Sequence, residues 1–239
     1  MAPKSKSKAK TGGGGNGGSG KGGMAALLGI LTLLTSMLAA GVYYVEQNLE
    51  SFFIFDVQHL HEVAGRAVAT HGADTRAVVS HIIEELEGKV SAAHLNLDED
   101  WMFNNAGGAM GGMYIIHASI TEYLIIFGTP IGTEGHSGRH TSDDYFYIIS
   151  GEQRAYVPGE YEPEVYPPGS VNHLPRGDVK QYRCPDSCFA LEYARGWIPP
   201  MLFFGFADFL TSTLDFPTLW KTVRITGKLM IGNLLQGKL

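Results

Sequence analysis

The sequence predicts an α+β protein in which an N-terminal transmembrane helix precedes a small β-barrel flanked by helices. Three observations support this prediction. An uncharged apolar stretch comes early, apolar residues then recur at helical spacing, and many short strand-like runs fill much of the second half. The chain has 239 residues and a formal net charge of −6. It can therefore hold one sizeable domain, and it lacks the basic character that favours nucleic-acid binding.

The first part of the chain predicts a membrane anchor behind a tail. Residues 1–23 are mainly Lys, Gly and Ser, which predicts a disordered tail. Residues 24–45 are uncharged, and their length matches the ~20 residues needed to cross a bilayer. This run is longer than the apolar part of a cleaved signal peptide, so we expect an uncleaved anchor. The lysines before it predict a cytoplasmic N-terminus, with the remaining chain in the lumen.

Residues 46–112 predict a helical segment and a loop that pack on the barrel. Apolar residues recur every three or four positions over residues 49–63, which predicts one continuous helix. Asp74 is placed to cap a second helix that runs to about Gly88. The stretch 101–112 is rich in Asn and Gly and predicts a loop or a close backbone approach.

Residues 113–198 carry the strand pattern of the predicted barrel. Runs of β-branched and aromatic residues alternate with Pro-Gly and Gly-Asp turns, a spacing typical of a sandwich or small barrel. A Pro-Pro-Gly turn followed by His173 resembles the turn of the cupin barrels. Cys184 and Cys188 flank a Pro-Asp-Ser turn. Their spacing allows a small loop bridge but does not require one, and we favour unpaired thiols because spacing alone settles no connectivity.

Residues 199–239 predict two amphipathic helices. Asp215 is placed to cap the second helix, and Pro217 suits its first turn. The uncharged run 196–207 is too short to span a bilayer, and the basic residues lie on the polar side of the pair. We expect these helices to lie in the membrane interface. The alternative is that they cover a soluble core, because both kinds of helix show the same apolar stripe.

Acidic residues within the strand-like runs are the candidates for chemistry. In DDYFYIISG, alternation puts Asp144 and Phe146 on one face and Asp143 on the other. Whichever face is buried, one carboxylate points inward among aromatic groups. Glu192 lies in a second such run, FALEYARG. A buried carboxylate is costly unless it is paired or protonated, so two acids in one apolar barrel predict a proton-handling site.

Three hypotheses follow from these residues. Metal-dependent cupin chemistry needs converging ligands, but His136, His140 and His173 do not complete a set, so we expect no metal and no cofactor. In acid–base catalysis, a protonated acid adds its proton to a double bond, and loss of a proton elsewhere completes an isomerisation. The neighbouring carboxylate and aromatic faces would stabilise the carbocation. Binding of amphiphilic amines at Glu192 without catalysis is the third hypothesis.

Three long motifs, HASITEYLIIFGTPIGTEGHSGR, DDYFYIISG and LEYARGWIPP, resemble the family of fungal sterol Δ8–Δ7 isomerases and mammalian sigma non-opioid receptors. The resemblance extends from residue 43 to the end of the sequence. It implies one membrane helix in the endoplasmic reticulum, a cupin-like barrel, two C-terminal membrane-associated helices and a homotrimer. For the isomerases it implies a double-bond shift in ergosterol biosynthesis, of the fecosterol-to-episterol type. For the receptors it implies ligand binding without catalysis.

The resemblance also implies roles for individual residues. Glu192 resembles the acid that binds the ligand's cation, and Tyr123 resembles the tyrosine that hydrogen-bonds this acid. The receptor's second acid falls on Phe146 here, so strand alternation favours Asp144 as the partner of Glu192, with Asp143 as the fallback. This departure favours the enzyme over the receptor. The expected substrate-binding residues are Tyr123, Ile125, Phe127, Phe146, Ile148, Met113, Leu202 and Phe206. The expected partners are a sterol substrate, cationic amphiphilic amines as inhibitors, and membrane lipid.

Overall fold

The structure is a computed structural model that describes residues 19–239 and contains two compact units. The described part of the first unit is an apolar helix. Helix α1 spans Ser19–Gln47. Its residues 23–47 have a mean hydropathy of 2.1, are unburied, and are long and apolar enough to cross a membrane. Residues 1–18 of the predicted tail lie outside the described residues. The rest of the predicted tail, residues 19–23, belongs to α1.

The second unit, residues 49–239, begins with two helices that pack on a β-sheet. Helix α2 spans Val57–His71 and helix α3 spans Thr75–Glu87. Each begins after an aspartate that caps it: Asp56 accepts a hydrogen bond from the backbone of His59, and Asp74 accepts one from Ala77. The predicted second helix and its cap are therefore confirmed.

The continuous helix predicted over residues 49–63 is interrupted. A 3₁₀ turn covers Leu49–Phe52, and α2 begins only at residue 57. Between them, the backbone N–H groups of Ile54 and Phe55 donate to the carboxylate of Glu122, at 2.9 and 3.1 Å, instead of to helical carbonyls. Glu122 is fully buried and also pairs with Lys238 at 2.8 Å. Glu122, a buried acid that is distant in sequence, therefore interrupts the predicted helix by binding these backbone groups.

Two antiparallel sheets form the predicted barrel region. Its strands are β1 (Met102–Ala106), β2 (Ala109–Ala118), β3 (Glu122–Thr129), β4 (Thr133–His136), β5 (Ser142–Gly151), β6 (Gln153–Tyr156), β7 (Glu164–Tyr166), β8 (Val171–Leu174), β9 (Gln181–Cys184) and β10 (Cys188–Gly196). One sheet has the order β1-β2-β3-β10-β5-β8, and the other has the order β4-β9-β6-β7. The α+β class is confirmed, and the predicted barrel region is built from two sheets rather than one closed ladder.

The predicted loop at 101–112 is a β-hairpin instead, so the strand region begins at residue 102 rather than 113. Gly107 and Gly108 form its turn with φ angles of +63° and +85°. Glycine adopts these angles at no steric cost, and a two-residue turn of this kind joins antiparallel strands. The Gly-Gly pair was therefore the hairpin signal within a stretch whose composition suggested a loop.

Both faces of the six-stranded sheet are covered. One face packs on α2 and α3 through residues such as Leu124, Tyr147 and Tyr193. The opposite face, which we call the inner face, carries Ile125 and Ala194 and packs partly against the C-terminal helices. Because both faces bury apolar side chains, the sequences of β3, β5 and β10 are nearly continuous apolar runs.

Cys184 and Cys188 form a disulfide, with their Cα atoms 5.6 Å apart. The prediction of unpaired thiols was therefore wrong. The two cysteines end β9 and begin β10, strands of different sheets, so the turn between them brings the thiols within bonding distance.

Two C-terminal helices complete the fold, as predicted. Helix α4 spans Ile198–Thr211 and helix α5 spans Phe216–Leu235. Asp215 caps α5 by accepting a hydrogen bond from Thr218 at 3.2 Å, which confirms the predicted cap. Both helices contact the hairpin side of the six-stranded sheet. They also leave large apolar side chains exposed, including Phe203 at 77% and Trp220 at 67%.

Candidate active site

Two acidic side chains meet on the inner face. Glu192 on β10 pairs with Phe146 on β5, and Asp144 on β5 pairs with Ala194 on β10. Side chains two positions apart on a strand share a face, so Asp144 and Glu192 are diagonal neighbours on adjacent strands. The strand pairing therefore brings together the two acids that the sequence favoured.

Both acids line one cavity between the sheets and α4. Its volume is about 90 Å³, within about 710 Å³ of empty space that includes the opening to solvent. Seven of the eight predicted substrate-binding residues line it: Met113, Tyr123, Ile125, Phe127, Phe146, Leu202 and Phe206. The eighth, Ile148, lies on the same face but is fully buried against Ala190 and does not reach the cavity.

Asp144 is held in an environment that favours its protonated form. The residue is 2% exposed, and its Oδ1 atom has no hydrogen-bond partner among the described residues. Burial raises the pKa of the Asp144 carboxyl to about 7, while a backbone hydrogen bond from Tyr145 opposes the rise and the charge of Asp143 adds to it. Asp144 can therefore exchange a proton near neutral pH.

Glu192 has a pKa well above its usual value. Burial is the main cause, and the negative charge of Asp144 is the second. Because the charge of Asp144 raises the pKa of Glu192, the two carboxyl groups bind their protons as a pair, so the site retains a proton at neutral pH beside a group able to accept one. Such a pair can act as acid and base in one reaction.

Asp143, the fallback acid, does not face the cavity. Its Oδ1 atom accepts a hydrogen bond from the backbone of Arg176 at 3.1 Å and lies 3.4 Å from Nε2 of His173. Its side chain is partly exposed on the other face of β5. The structure therefore separates the two adjacent aspartates, placing Asp144 in the cavity and Asp143 outside it.

Tyr123 lines the cavity. The resemblance implied that it hydrogen-bonds Glu192, but its hydroxyl has other partners. Its hydroxyl lies 3.4 Å from Oγ1 of Thr226 on α5 and 4.0 Å from the sulfur of Met113. Burial is the main cause of the raised pKa of Tyr123, and the negative charge of Glu192 raises it further. The charge of Glu192 therefore acts on Tyr123, while the hydrogen bond of Tyr123 to Thr226 links the inner face to α5.

Sequence reasoning missed several residues that line the cavity. Tyr182 on β9 faces Phe146 with ring centroids 6.3 Å apart, and Phe204 on α4 packs near His140. The other lining residues that sequence reasoning did not assign to the cavity are Asn104, Ala106, His136, Ser137, His140, Met201, Gly205 and Thr222. Most of them lie in β1, in helix α4 or in the second sheet. Alternation along one strand does not indicate which residues of another element lie opposite it.

The histidines that were considered as metal ligands are engaged in local hydrogen bonds. Nε2 of His140 lies 2.8 Å from the carbonyl oxygen of Ser137, and Nδ1 of His136 accepts from the backbone of Gly138 at 2.9 Å. His173 stacks on Tyr145 at 4.4 Å, outside the cavity. Within residues 19–239, no group of three or more His, Cys, Asp or Glu side chains is arranged to hold a metal ion.

Comparison with known proteins gives consistent matches. A family model described as "ERG2 and Sigma1 receptor like protein" matches residues 32–238. The "C-8 sterol isomerase ERG2" of Gibberella zeae is 66% identical over 98% of this chain and 100% of its own length. The "C-8 sterol isomerase" of Neurospora crassa is 68% identical, over 88% and 83% respectively.

More distant matches include a receptor and a bacterial protein. The "Sigma non-opioid intracellular receptor 1" of Gallus gallus is 42% identical over 68% of this chain and 74% of its own length. A solved RmlC-like cupin from Shewanella frigidimarina aligns with 45% of this chain and 95% of its own, at 16% identity and a TM-score of 0.38.

Proposed function

Because the chain belongs to the family of ERG2 and sigma-1 receptor-like proteins, we propose that it is a sterol C-8 isomerase. It shifts the ring double bond of a sterol from carbons 8 and 9 to carbons 7 and 8, as in the conversion of fecosterol to episterol in ergosterol biosynthesis. One observation carries the proposal: Asp144 and Glu192 share an apolar cavity, and both carboxyl groups have raised pKa values.

The carboxyl pair supplies the acid and the base. The protonated member donates its proton to carbon 9 of the sterol, and the π electrons of the double bond form the new C–H bond. The cation left at carbon 8 is stabilised by the ionised member and by the faces of Phe146 and Tyr182. Loss of a proton from carbon 7 to the ionised member forms the new double bond. The pair then holds one proton, as before, on the other acid.

The same geometry predicts inhibition by cationic amphiphilic amines. An ammonium group placed between Asp144 and Glu192 mimics the charge of the carbocation, and a mimic of a transition state binds more tightly than the substrate. A purely binding role, as in the sigma receptors, would use the same contacts. Turnover therefore distinguishes the two functions, whereas amine binding does not.

Several features support a membrane location. We propose that α1 is a single-pass anchor in the endoplasmic reticulum with its N-terminus in the cytoplasm, and that the chain assembles as a homotrimer. The Cys184–Cys188 disulfide favours a lumenal position for the second unit, because disulfides persist in oxidising compartments. The exposed apolar side chains of α4 and α5 favour contact with membrane lipid.

Substitution of the paired acids tests the proposal. In full-length protein reconstituted in detergent or lipid, we expect Glu192→Gln and Asp144→Asn each to lower the rate of Δ8-to-Δ7 conversion by about 10²-fold or more, because acid–base groups contribute that much. The product ratio is measured by chromatography of the sterols, and thermal unfolding verifies that each variant is folded.

Asp143→Asn is the matched control, because it removes the neighbouring carboxylate from the opposite face of the same strand. It is expected to keep most of the activity. Wild-type rates in both Glu192→Gln and Asp144→Asn would contradict the carboxylate mechanism. A wild-type protein that binds amines but converts no Δ8 sterol would contradict the isomerase function.

A further inference from the structure

A second, much smaller cavity lies beside the one that holds the acids. It has a volume of about 10 Å³, about the space of one water-sized group, and shares Ser137, Phe146 and Tyr182 with the larger cavity. These three residues border both cavities. A molecule that occupies both cavities would therefore contact Phe146 and Tyr182.

Polar side chains line this small cavity even though it is buried. Gln153 and Asn172 are 2% and 3% exposed, and the Asn172 amide donates to Oε1 of Gln153 at 2.7 Å. The amine of Lys180 donates to Oδ1 of Asn172 at 3.2 Å and pairs with Glu164 at 2.6 Å. The amides are fixed by this network, because each holds the other in place.

Two hydrogen-bonding groups of the small cavity remain unused. Among the described residues, neither the side-chain NH₂ of Gln153 nor the hydroxyl of Tyr182 has a hydrogen-bond partner. Buried polar groups are costly when unpaired. The cavity thus offers a donor and a donor–acceptor to one small polar group, such as a hydroxyl.

The position of the small cavity matches the layout of a sterol. Asn172, Phe146 and Glu192 lie side by side on β8, β5 and β10. Two strand spacings separate Asn172 from Glu192, about 10 Å. In a sterol, the hydroxyl on carbon 3 lies at the end of ring A, and carbons 7 to 9 belong to the adjoining ring B. Side chains near Asn172 can therefore contact the 3-hydroxyl of a sterol while Glu192 contacts ring B of the same molecule.

Helix α4 supplies apolar side chains to the opposite end of the large cavity. Helix α4 contributes Met201, Leu202 and Phe206 there and packs on β1, at the far edge of the six-stranded sheet from β8. A sterol has a hydroxyl at one end and an alkyl chain at the other. The two ends of the site match this polarity when the alkyl chain lies toward α4.

We propose that the small cavity formed by Gln153, Asn172, Lys180 and Tyr182 is the subsite for the sterol 3-hydroxyl group. The hydroxyl accepts a hydrogen bond from the Gln153 amide and exchanges one with the Tyr182 hydroxyl. This subsite fixes the ring system along the sheet, so that ring B lies between Asp144 and Glu192. The inference rests on the proposed isomerase function and adds the group that orients the substrate.

The test compares a Δ8 sterol with its counterpart that lacks the 3-hydroxyl. For wild-type protein, we expect kcat/KM to be about 10- to 100-fold lower for the deoxy compound, because a buried donor is then left unpaired. In Tyr182→Phe and Gln153→Met, this preference is expected to shrink toward unity, mainly through a higher KM for the hydroxylated sterol. Tyr156→Phe, on β6 and outside both cavities, is the matched control and is expected to keep the preference.

Three outcomes are distinguishable. Equal turnover of both compounds by the wild type would overturn the subsite while leaving the isomerase function intact. Equal losses for both compounds in the folded variants would also overturn it, because they would indicate a structural role. Turnover of neither compound by the wild type would instead contradict the proposed function itself. Thermal unfolding of each variant excludes misfolding as the cause.

Discussion

Asp143 and Asp144 are adjacent in sequence but lie in different environments. The pleat of β5 turns Asp144 into the cavity and leaves Asp143 among surface groups near His173. Strand alternation predicted that the two would separate, and the resemblance favoured Asp144. The residues themselves could not decide which face was inward, because both faces of β5 carry aromatic side chains and both are buried.

The raised pKa values of the pair predict a pH dependence. The reaction needs one proton on the pair and one free carboxylate. Below about 7, Asp144 is protonated and the base is lost, so kcat/KM is expected to fall about tenfold for each pH unit. Above that pH the rate reaches a plateau, and it falls again only when the pair loses its last proton. Initial rates measured from pH 5 upward give the acidic limb and the plateau.

Asp143→Asn gives this profile an internal check. The charge of Asp143 helps to raise the pKa of Asp144, so its removal is expected to shift the acidic limb to lower pH without changing the plateau. A shift to higher pH, or a flat profile in the wild type, would contradict the assignment of Asp144 to the reacting pair.

At the scale of elements, the β1–β2 hairpin and α4 together bound the cavity. The backbone N–H of Gly108 donates to Asp208 on α4 at 3.0 Å, and Gly107 lies against Phe204 and the carbonyl of His136. Helix α4 and the capped helices were predictable because Pro and Asp mark their ends. The hairpin was missed although Gly107 and Gly108 mark its turn, because the Asn- and Gly-rich composition around them favoured a loop.

The contact at Gly107 can be tested with its neighbour as the control. A Cβ atom at Gly107 would lie 2.6 Å from the Phe204 ring and 2.3 Å from the carbonyl oxygen of His136, whereas Gly108 has open space. Both have positive φ, so both alanine variants are strained. We expect Gly107→Ala to lower stability by about 1–3 kcal/mol more than Gly108→Ala, and also to raise KM. Thermal unfolding and steady-state kinetics measure the two effects. Equal behaviour of both variants would contradict a close hairpin–α4 contact.

At the scale of the whole molecule, the unit that contains α1 and the unit of residues 49–239 are separate compact units. The uncharged run predicted α1, and the turn signals predicted a β-rich unit. The opposition of two sheets, and therefore most of the cavity wall, could not be predicted, since it arises from pairings such as Asn172 with Gln153 between strands of different sheets.

The exposed apolar side chains predict that membrane contact does not depend on α1 alone. A protein limited to residues 49–239 is expected to sediment with phospholipid vesicles, because Phe203 and Trp220 are 77% and 67% exposed. The double variant Phe203→Glu and Trp220→Glu of the same fragment is expected to remain in the supernatant. If the unsubstituted fragment also remains soluble, α4 and α5 cover a soluble core instead.

The cross-link between β9 and β10 has a practical consequence for anyone who prepares this enzyme. It closes a ring of five residues at the point where the chain passes from one sheet to the other, and such a ring contributes about 2 kcal/mol by restricting the unfolded chain. Dithiothreitol in a purification buffer, or synthesis in a bacterial cytoplasm, would forfeit this contribution. Oxidising expression hosts and thiol-free buffers are therefore the appropriate starting conditions.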